Sequence, residues 1–356
     1  MQYLIESQLI LEYTLHRTCV GGNKGIQKDL DDGIDTIGKK MTVCQLYAKQ
    51  IRHRGNVRYN TKNGRKRLMK LLEEDKLGGC PIDSVKLSDA KEWAIRMKEK
   101  GISYKTISND KRSLKAAFYT AIQDDCIRKN PFDFQLNTVI EDDTEPKVPL
   151  TPAQEESFLS FAQNDKVYQK YYDELIILLG TGLRISELCG LTDTDINFEN
   201  RIINVDHQLL RSAETGYYIE TPKTKSGIRQ IPMSEKVYEA FNRVLKRRRG
   251  AKAVTIDGYS NFLFLNRDGY PKTATNYDGM FRGLAKKYNK YHEEALPKVM
   301  TPHTLRHTFC TNMANAGMNP KALQYITGHS NITMTLNYYA HATFDSAKAE
   351  MLRIAA

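Results

Sequence analysis

The chain lacks the marks of several classes of protein. Its six cysteines, Cys19, Cys44, Cys80, Cys126, Cys189 and Cys310, are scattered and never fall in a CxxC pair. That spacing excludes a clustered-cysteine zinc site and a dense disulfide frame, and the thiols read as free groups in a reducing compartment. No apolar run approaches the roughly 20 residues that cross a bilayer. The opening stretch MQYLIESQLILEYTLHRTCVGG is broken by Glu6, Glu12, His16 and Arg17, unlike the charged-then-apolar order of a signal peptide. A cytoplasmic protein without a membrane partner is expected. Internal repeats are missing too. Acidic residues are in deficit, 42 against 53 Lys and Arg, a net charge of +11 over 356 residues. Such a surplus favours nucleic acid, because neutralising phosphates gives affinity whatever the base sequence.

The length suggests two or three domains. Residues 1–40 show no strand series and no convincing domain. From Met41 to about Ile140 the pattern is helical. TVCQLYAKQI opens after Thr42, TKNGRKRLMKLLEEDKLGG ends in a glycine pair suited to a helix C-cap, and LSDAKEWAIRMKEKG offers Ser88 as N-cap. Ile107, Leu114, Ala117, Phe118, Ala121 and Ile122 fall on one stripe at helical spacing. This module carries Arg52, Arg54, Arg58, Lys62, Arg65, Lys66, Arg67, Lys70, Lys105, Lys111, Arg112 and Lys115, a candidate footprint for a phosphate backbone.

EDDTEPKVPL, with two prolines, predicts a linker over 141–150. A second domain, 151–356, then starts at TPAQEE, where Thr151 caps, Pro152 takes the first helical position and Gln154 completes a capping box. YDELIILLGTGLRISELCGL reads as helix, glycine turn, helix. Three strands are expected at RIINV, GYYIET and IRQIPM, the last two joined by the lysine-rich turn PKTKSG. Helices resume at SEKVYEAFNRVLKRRR, TPHTLRHTFCTNMANAG and NPKALQYITG. The tail HATFDSAKAEMLRIAA places Phe344, Ala347, Met351 and Ile354 on one face of a short helix.

Four pieces carry chemistry. GTGLRISEL puts Arg184 after a glycine turn at a helix start, where N–H groups and the dipole favour an anion. HTLRH spaces His303 and Arg306 three apart. TGHSN presents His329 at a helix end, and nine residues on comes the pair Tyr338 and Tyr339. A metal reading of His303, His307 and His329 is weak, since no glutamate follows as in HExxH and no cysteine lies at ligand spacing. No cofactor motif is present.

The ordered set of arginine, turn lysine, HxxR, GH and tyrosine resembles the signature of the tyrosine recombinases, the phage-type integrases. The resemblance covers residues 41–356. TGLRISEL, ETPKTKSGIRQIPM, TPHTLRHTFCTNMANAGMNPKALQYI and TLNYYAHATFDSA are similar to the integrases of conjugative transposons. It implies an α-helical core-binding domain plus a mixed, mainly α-helical α+β catalytic domain with a small antiparallel sheet, the DNA breaking-rejoining fold. It also implies a catalytic set of Arg184, Lys223, His303, Arg306, His329 and Tyr338, with Lys225 as the alternative turn lysine. In that reading two guanidiniums clamp the scissile phosphate, since attack builds charge on its non-bridging oxygens. Tyr338, ordinarily near pKa ~10, attacks phosphorus. His303 accepts its proton, His329 donates to a phosphate oxygen, and the lysine protonates the leaving 5′-oxygen. The 3′-phosphotyrosyl bond conserves backbone energy, so rejoining needs no ATP or metal. Tyr339 is left as a packing or DNA-proximal residue.

The resemblance also implies partners: double-stranded DNA at crossover core sites, a homotetramer in the synaptic complex, an excision factor and a host DNA-bending protein. The tail would couple neighbouring subunits. Residues 1–40 are too short for the small sheet domain with which such integrases read remote arm-type sites. Two rival readings are a DNA-binding relative without catalysis, acting as competitor or repressor, and a type IB topoisomerase that only relaxes strands.

Overall fold

The computed structural model describes residues 38–55, 57–145, 148–222, 224–248, 254–339 and 351–352. Residues 1–37, Lys223 and most of the tail expected to be helical around Phe344, Ala347 and Ile354 lie outside that set. The chain divides into two compact units, with the boundary between Glu145 and Pro146.

The first unit is helical. Its helices are α1 (Val43–His53), α2 (Tyr59–Glu73), α3 (Leu87–Glu99) and α4 (Tyr104–Gln123). Thr42 opens α1 with a reciprocal cap: its Oγ1 accepts from Gln45 N–H at 3.2 Å and Gln45 Oε1 accepts from Thr42 N–H at 2.8 Å. For α3 the cap is not Ser88. The helix begins at Leu87, and Asp89 Oδ2 takes the Lys86 N–H at 2.8 Å. Nor do the glycines at 78 and 79 end α2, which stops at Glu73 with Glu74 as its C-cap. One core holds the unit together, centred on buried Trp93, Phe118 and Phe132, with Trp93 edge-on to Phe132 at 5.8 Å. Each such aromatic contributes roughly 1.5–3 kcal/mol by leaving water.

Some of this unit's cations are structural. Arg67 pairs with buried Asp110 and Lys115 with Asp133, each at 2.5 Å. Lys62, Lys66 and Lys70, four residues apart on α2, form an exposed row.

The second unit opens with α5 (Pro152–Asn164), capped by Thr151 and Gln154 with Pro152 at the start, as the sequence spells. Helix α6 (Tyr172–Thr181) is apolar on nearly every side and lies inside the core, with Leu175, Ile177 and Leu178 fully buried. A helix apolar all round has no solvent face to offer. It ends at Gly182 in the left-handed region, φ 62°, where a Cβ would strike the Phe309 ring at 2.4 Å. The chain turns there into α7 (Ile185–Gly190).

Among the described residues five short strands follow, β1 (Ile196–Asn197), β2 (Ile202–Val205), β3 (Gln208–Ser212), β4 (Gly216–Glu220) and β5 (Arg229–Pro232). They form two antiparallel sheets, β1-β2-β5 and β3-β4. The antiparallel pairing is as expected, divided between two small sheets. GYYIET does not pair with IRQIPM: β4 pairs with β3, Leu210 opposite Tyr218, while β5 pairs with β2, Ile231 opposite Ile203. The lysine-rich segment therefore runs between two sheets rather than closing a tight hairpin. Then come α8 (Glu235–Arg248), α9 (Ala274–Tyr291), α10 (Pro302–Asn315), α11 (Pro320–Thr327) and α12 (Thr333–Leu336). Helices α8 and α10 pack on α6, so the buried helix fixes where α7 and α10 present their side chains.

Candidate active site

Arg184 stands at the N-cap of α7. The sequence suggested that this helix start would receive an external anion. The structure fills it with the chain's own carboxylate: Glu187 Oε2 accepts the Arg184 N–H at 2.8 Å and Oε1 accepts from Arg184 Nη1 at 2.6 Å. Arg184 Nη2 donates to the Gly328 carbonyl at 2.9 Å, and about a third of the side chain stays exposed.

Arg306 projects from α10 and is buried. Its Nη1 donates to the Gly182 carbonyl at 2.5 Å and its Nη2 to the Thr327 carbonyl at 2.6 Å. Burial, reinforced by the nearby charge of Arg184, brings its pKa down to about 10. It remains a cation at neutral pH. A third guanidinium, Arg229 on β5, donates through Nε to the Ile326 carbonyl at 2.6 Å. Three consecutive carbonyls at the C-terminal end of α11, residues 326–328, thus take hydrogen bonds from three different arginines. That end of a helix presents unsatisfied carbonyls and negative potential, so cations gather there naturally.

The turn that collects the arginines leads into His329. Gly328 is left-handed, φ 64°, and a Cβ on it would lie 3.0 Å from the Ser226 carbonyl oxygen and 3.1 Å from Arg229 Nη1. His329 is buried, with Nδ1 2.9 Å from Thr335 Oγ1 on α12. Burial first, then the charges of Arg306, Arg184 and Arg229, lower its pKa to about 4. The ring is therefore neutral above that. When Nδ1 accepts from Thr335, the proton sits on Nε2, free to donate to a ligand.

Tyr338 follows α12 and is half-buried. Its ring lies parallel to His329, centroids 6.4 Å apart, and edge-on to His307 at 4.9 Å. It packs with Phe309, Cys310 and Leu323. Burial, together with the adjacent Cys310, raises the phenol to about 12, against the lowering effect of Arg306. Burial likewise pushes the Cys310 thiol up. Tyr339 diverges from its neighbour: its hydroxyl donates to the Met318 carbonyl at 2.5 Å.

The structure thus brings together Arg184, Arg306, His329 and Tyr338. His303 lies on α10 three residues before Arg306, but exposed where Arg306 is buried. Lys223 falls outside the described residues. Lys225 opens a short turn, Lys225–Gly227, and is exposed. Sequence reasoning missed Glu187, Arg229, Thr335 and the ring contact of His307. Glu187 had a signal, since it stands three residues after the N-cap where a capping carboxylate belongs. So had Arg229, two residues before the inward Ile231 on a strand that alternates buried and exposed.

The chain is similar to several known proteins. A model described as the phage integrase family matches residues 149–346. The transposase of transposon Tn916 from Enterococcus faecalis is 68% identical over 329 residues, 92% of this chain and 81% of that protein. Among solved structures, the integrase of transposon Tn1549 in complex with a circular intermediate DNA is 78% identical and superposes with a TM-score of 0.84, covering 88% of this chain and 99% of that one. A lambda integrase dimer bound to a core site shares the fold at 16% identity, TM-score 0.55, over 83% of this chain and 93% of that one.

Proposed function

Since the chain belongs to the phage integrase family of tyrosine recombinases, we propose that it integrates and excises a mobile element by cutting and rejoining double-stranded DNA through a 3′-phosphotyrosyl bond at Tyr338. The observation that carries this reading is the shared anchorage of the site. Arg306 and Arg184 donate to the Thr327 and Gly328 carbonyls immediately before His329, and His329 lies parallel to Tyr338.

A guanidinium has five N–H donors. Two on each arginine are engaged within the protein, which leaves three apiece for the non-bridging oxygens of a phosphodiester. Their planes are fixed before DNA arrives, so little reorganisation accompanies charge build-up in the transition state. His329, neutral and protonated at Nε2, donates a further bond. Tyr338 Oη then forms a bond to phosphorus as the P–O5′ bond breaks. The phenolic proton passes to His303, and the departing 5′-oxygen takes a proton from Lys223, with Lys225 as the alternative donor. The reverse step, attack by a different 5′-hydroxyl, completes strand exchange. With the phenol at about 12 in the DNA-free protein, Tyr338 stays protonated until a base accepts its proton during the attack.

The exposed row Lys62, Lys66 and Lys70 on α2 suits the flanking backbone. The working assembly is a homotetramer on two core sites in the cytoplasm, with an excision factor and a host DNA-bending protein as accessory partners. The strong likeness to transposon enzymes favours strand exchange over a silent DNA binder or a relaxing topoisomerase. The test is incubation with a nicked suicide duplex carrying the element's end, a denaturing gel for the covalent adduct, and mass spectrometry of the adduct peptide. Attachment at a residue other than Tyr338, or no adduct on any end sequence, would overturn the assignment.

A further inference from the structure

We propose that Arg229 is a positioning residue for strand cleavage, setting the phosphate-clamping Arg184 through Glu187 without touching DNA itself. The proposal rests on the catalytic reading above and extends it to a guanidinium that the reading does not use.

The Arg229 side chain is fully buried, and it makes four hydrogen bonds to Ile326, Glu187 and Gly227 where Arg306 makes two, so it has little left to offer a phosphate. Both prongs meet the Glu187 carboxylate, Nη1 to Oε1 at 3.0 Å and Nη2 to Oε2 at 2.9 Å. Paired planar bonds of this kind fix the rotation of both groups. Glu187 then receives the Arg184 backbone N–H and its Nη1 on the same two oxygens. The plane of Arg184 is therefore dictated by a carboxylate whose own plane is dictated by Arg229. Arg229 also donates to the Ile326 carbonyl through Nε and to the Gly227 carbonyl through Nη1 at 3.1 Å. Gly227 ends the turn that begins at Lys225, and Ile326 begins the carbonyl series leading to His329. One guanidinium so ties the arginine-bearing helix, the lysine-bearing segment and the histidine turn.

Charge balance gives the proposal its sign. Two arginines share the one Glu187 carboxylate, which is itself buried. Remove Arg229 and the carboxylate has Arg184 as its remaining guanidinium partner. A buried, undercompensated carboxylate draws that partner into a full pair and turns it from the phosphate position. The defect then lies in the pull of the Glu187 charge on Arg184, and neutralising Glu187 should relieve it. Because Arg229 and Glu187 are in contact, their effects on stability are not additive; a purely structural role predicts that cleavage follows the melting temperature, whereas a positioning role predicts recovery of cleavage beyond any recovery of stability.

The experiment measures three quantities on Arg229→Met, Arg229→Lys and the double variant Arg229→Met with Glu187→Gln. These are single-turnover adduct formation on the suicide duplex at saturating protein, Kd by gel shift, and thermal melting. Wild-type protein must first give the Tyr338 adduct; its failure would defeat the catalytic reading rather than this one. Arg229→Met is expected to lose about 10²-fold in cleavage rate, with Kd within about threefold and an unchanged salt slope. The double variant is expected to recover at least about tenfold of that loss, and Arg229→Lys to fall between wild type and Arg229→Met. Cleavage within about threefold of wild type in Arg229→Met, a double variant no faster than the single one, or failure of both Met and Lys variants to fold would each overturn the proposal.

Discussion

Tyr338 meets His307 edge to face, ring centroids 4.9 Å apart and planes at 67°, while the hydroxyl of adjacent Tyr339 bonds the Met318 carbonyl. Two neighbouring tyrosines therefore hold different places. Tyr338 sits among the arginines and histidines, and Tyr339 anchors the approach to α11. Tyr338→Phe keeps the ring and its packing and removes only the oxygen. It is expected to abolish the covalent adduct while DNA affinity stays within about threefold. Tyr339→Phe should retain the adduct and lose stability by about 1 kcal/mol, the ordinary worth of a hydrogen bond. An adduct formed by Tyr338→Phe would show the nucleophile to be elsewhere.

The two clamping arginines should respond differently to the same substitution. Lysine brings one compact charge where a planar fork is needed, so Arg184→Lys and Arg306→Lys are each expected to lower cleavage by roughly 10²–10³. Only Arg306→Lys should also lower the melting temperature appreciably. Arg306 is buried and satisfies both the Gly182 and Thr327 carbonyls, and stranding one of them costs about 1–3 kcal/mol. Arg184 is a third exposed, so water can take over the Gly328 carbonyl. Thermal melts beside single-turnover cleavage check both halves. Equal melting losses would mean the burial difference has no energetic weight.

The caps at Thr42 and Thr151 were legible because a short polar side chain answers a backbone N–H three residues away. The order of Arg184, Arg306, His329 and Tyr338 was legible as a spaced motif. What the sequence hid was long-range. Strand β3 escaped because QLLRS has no clean alternation, and its pairing with β4 diverted GYYIET from the partner its spacing suggested. The convergence of Arg184, Arg229 and Arg306 on residues 326–328 joins side chains up to 144 positions away from their acceptors, which no local pattern encodes. Glu187 and Arg229 each carried a local signal, but their pairing, across 42 positions, did not.

The two turn lysines can be separated by leaving-group chemistry. Lys223→Ala is expected to impair cleavage more than Lys225→Ala, because the leaving 5′-oxygen needs a proton. A substrate with sulfur in the 5′-bridging position leaves without one. It should restore cleavage to the variant lacking the true donor and do little for the other. Restoration of Lys225→Ala alone would transfer the role to Lys225.

His329 yields a pH prediction whose sign is fixed by its surroundings. Burial and then the charges of Arg306, Arg184 and Arg229 put its folded pKa at about 4, below the ordinary histidine value of about 6.5. Between those values the unfolded chain binds the proton that the folded chain refuses. Stability from the neutral ring is therefore complete above pH ~6.5 and is lost as pH falls toward ~4, by at most roughly 3 kcal/mol. His329→Gln, which does not titrate, should flatten the stability profile across that window relative to wild type. An NMR titration of the free protein should place the His329 midpoint well under 6, and a midpoint at or above 6.5 would sink the argument. A bound phosphodiester changes the balance, because its negative charge offsets Arg184 and Arg306, which otherwise repel a proton from the ring. DNA carrying the crossover phosphate should raise the midpoint and take up a fraction of a proton at pH 5–6. That uptake can be read as buffer-dependent binding heat, and it should vanish in His329→Gln.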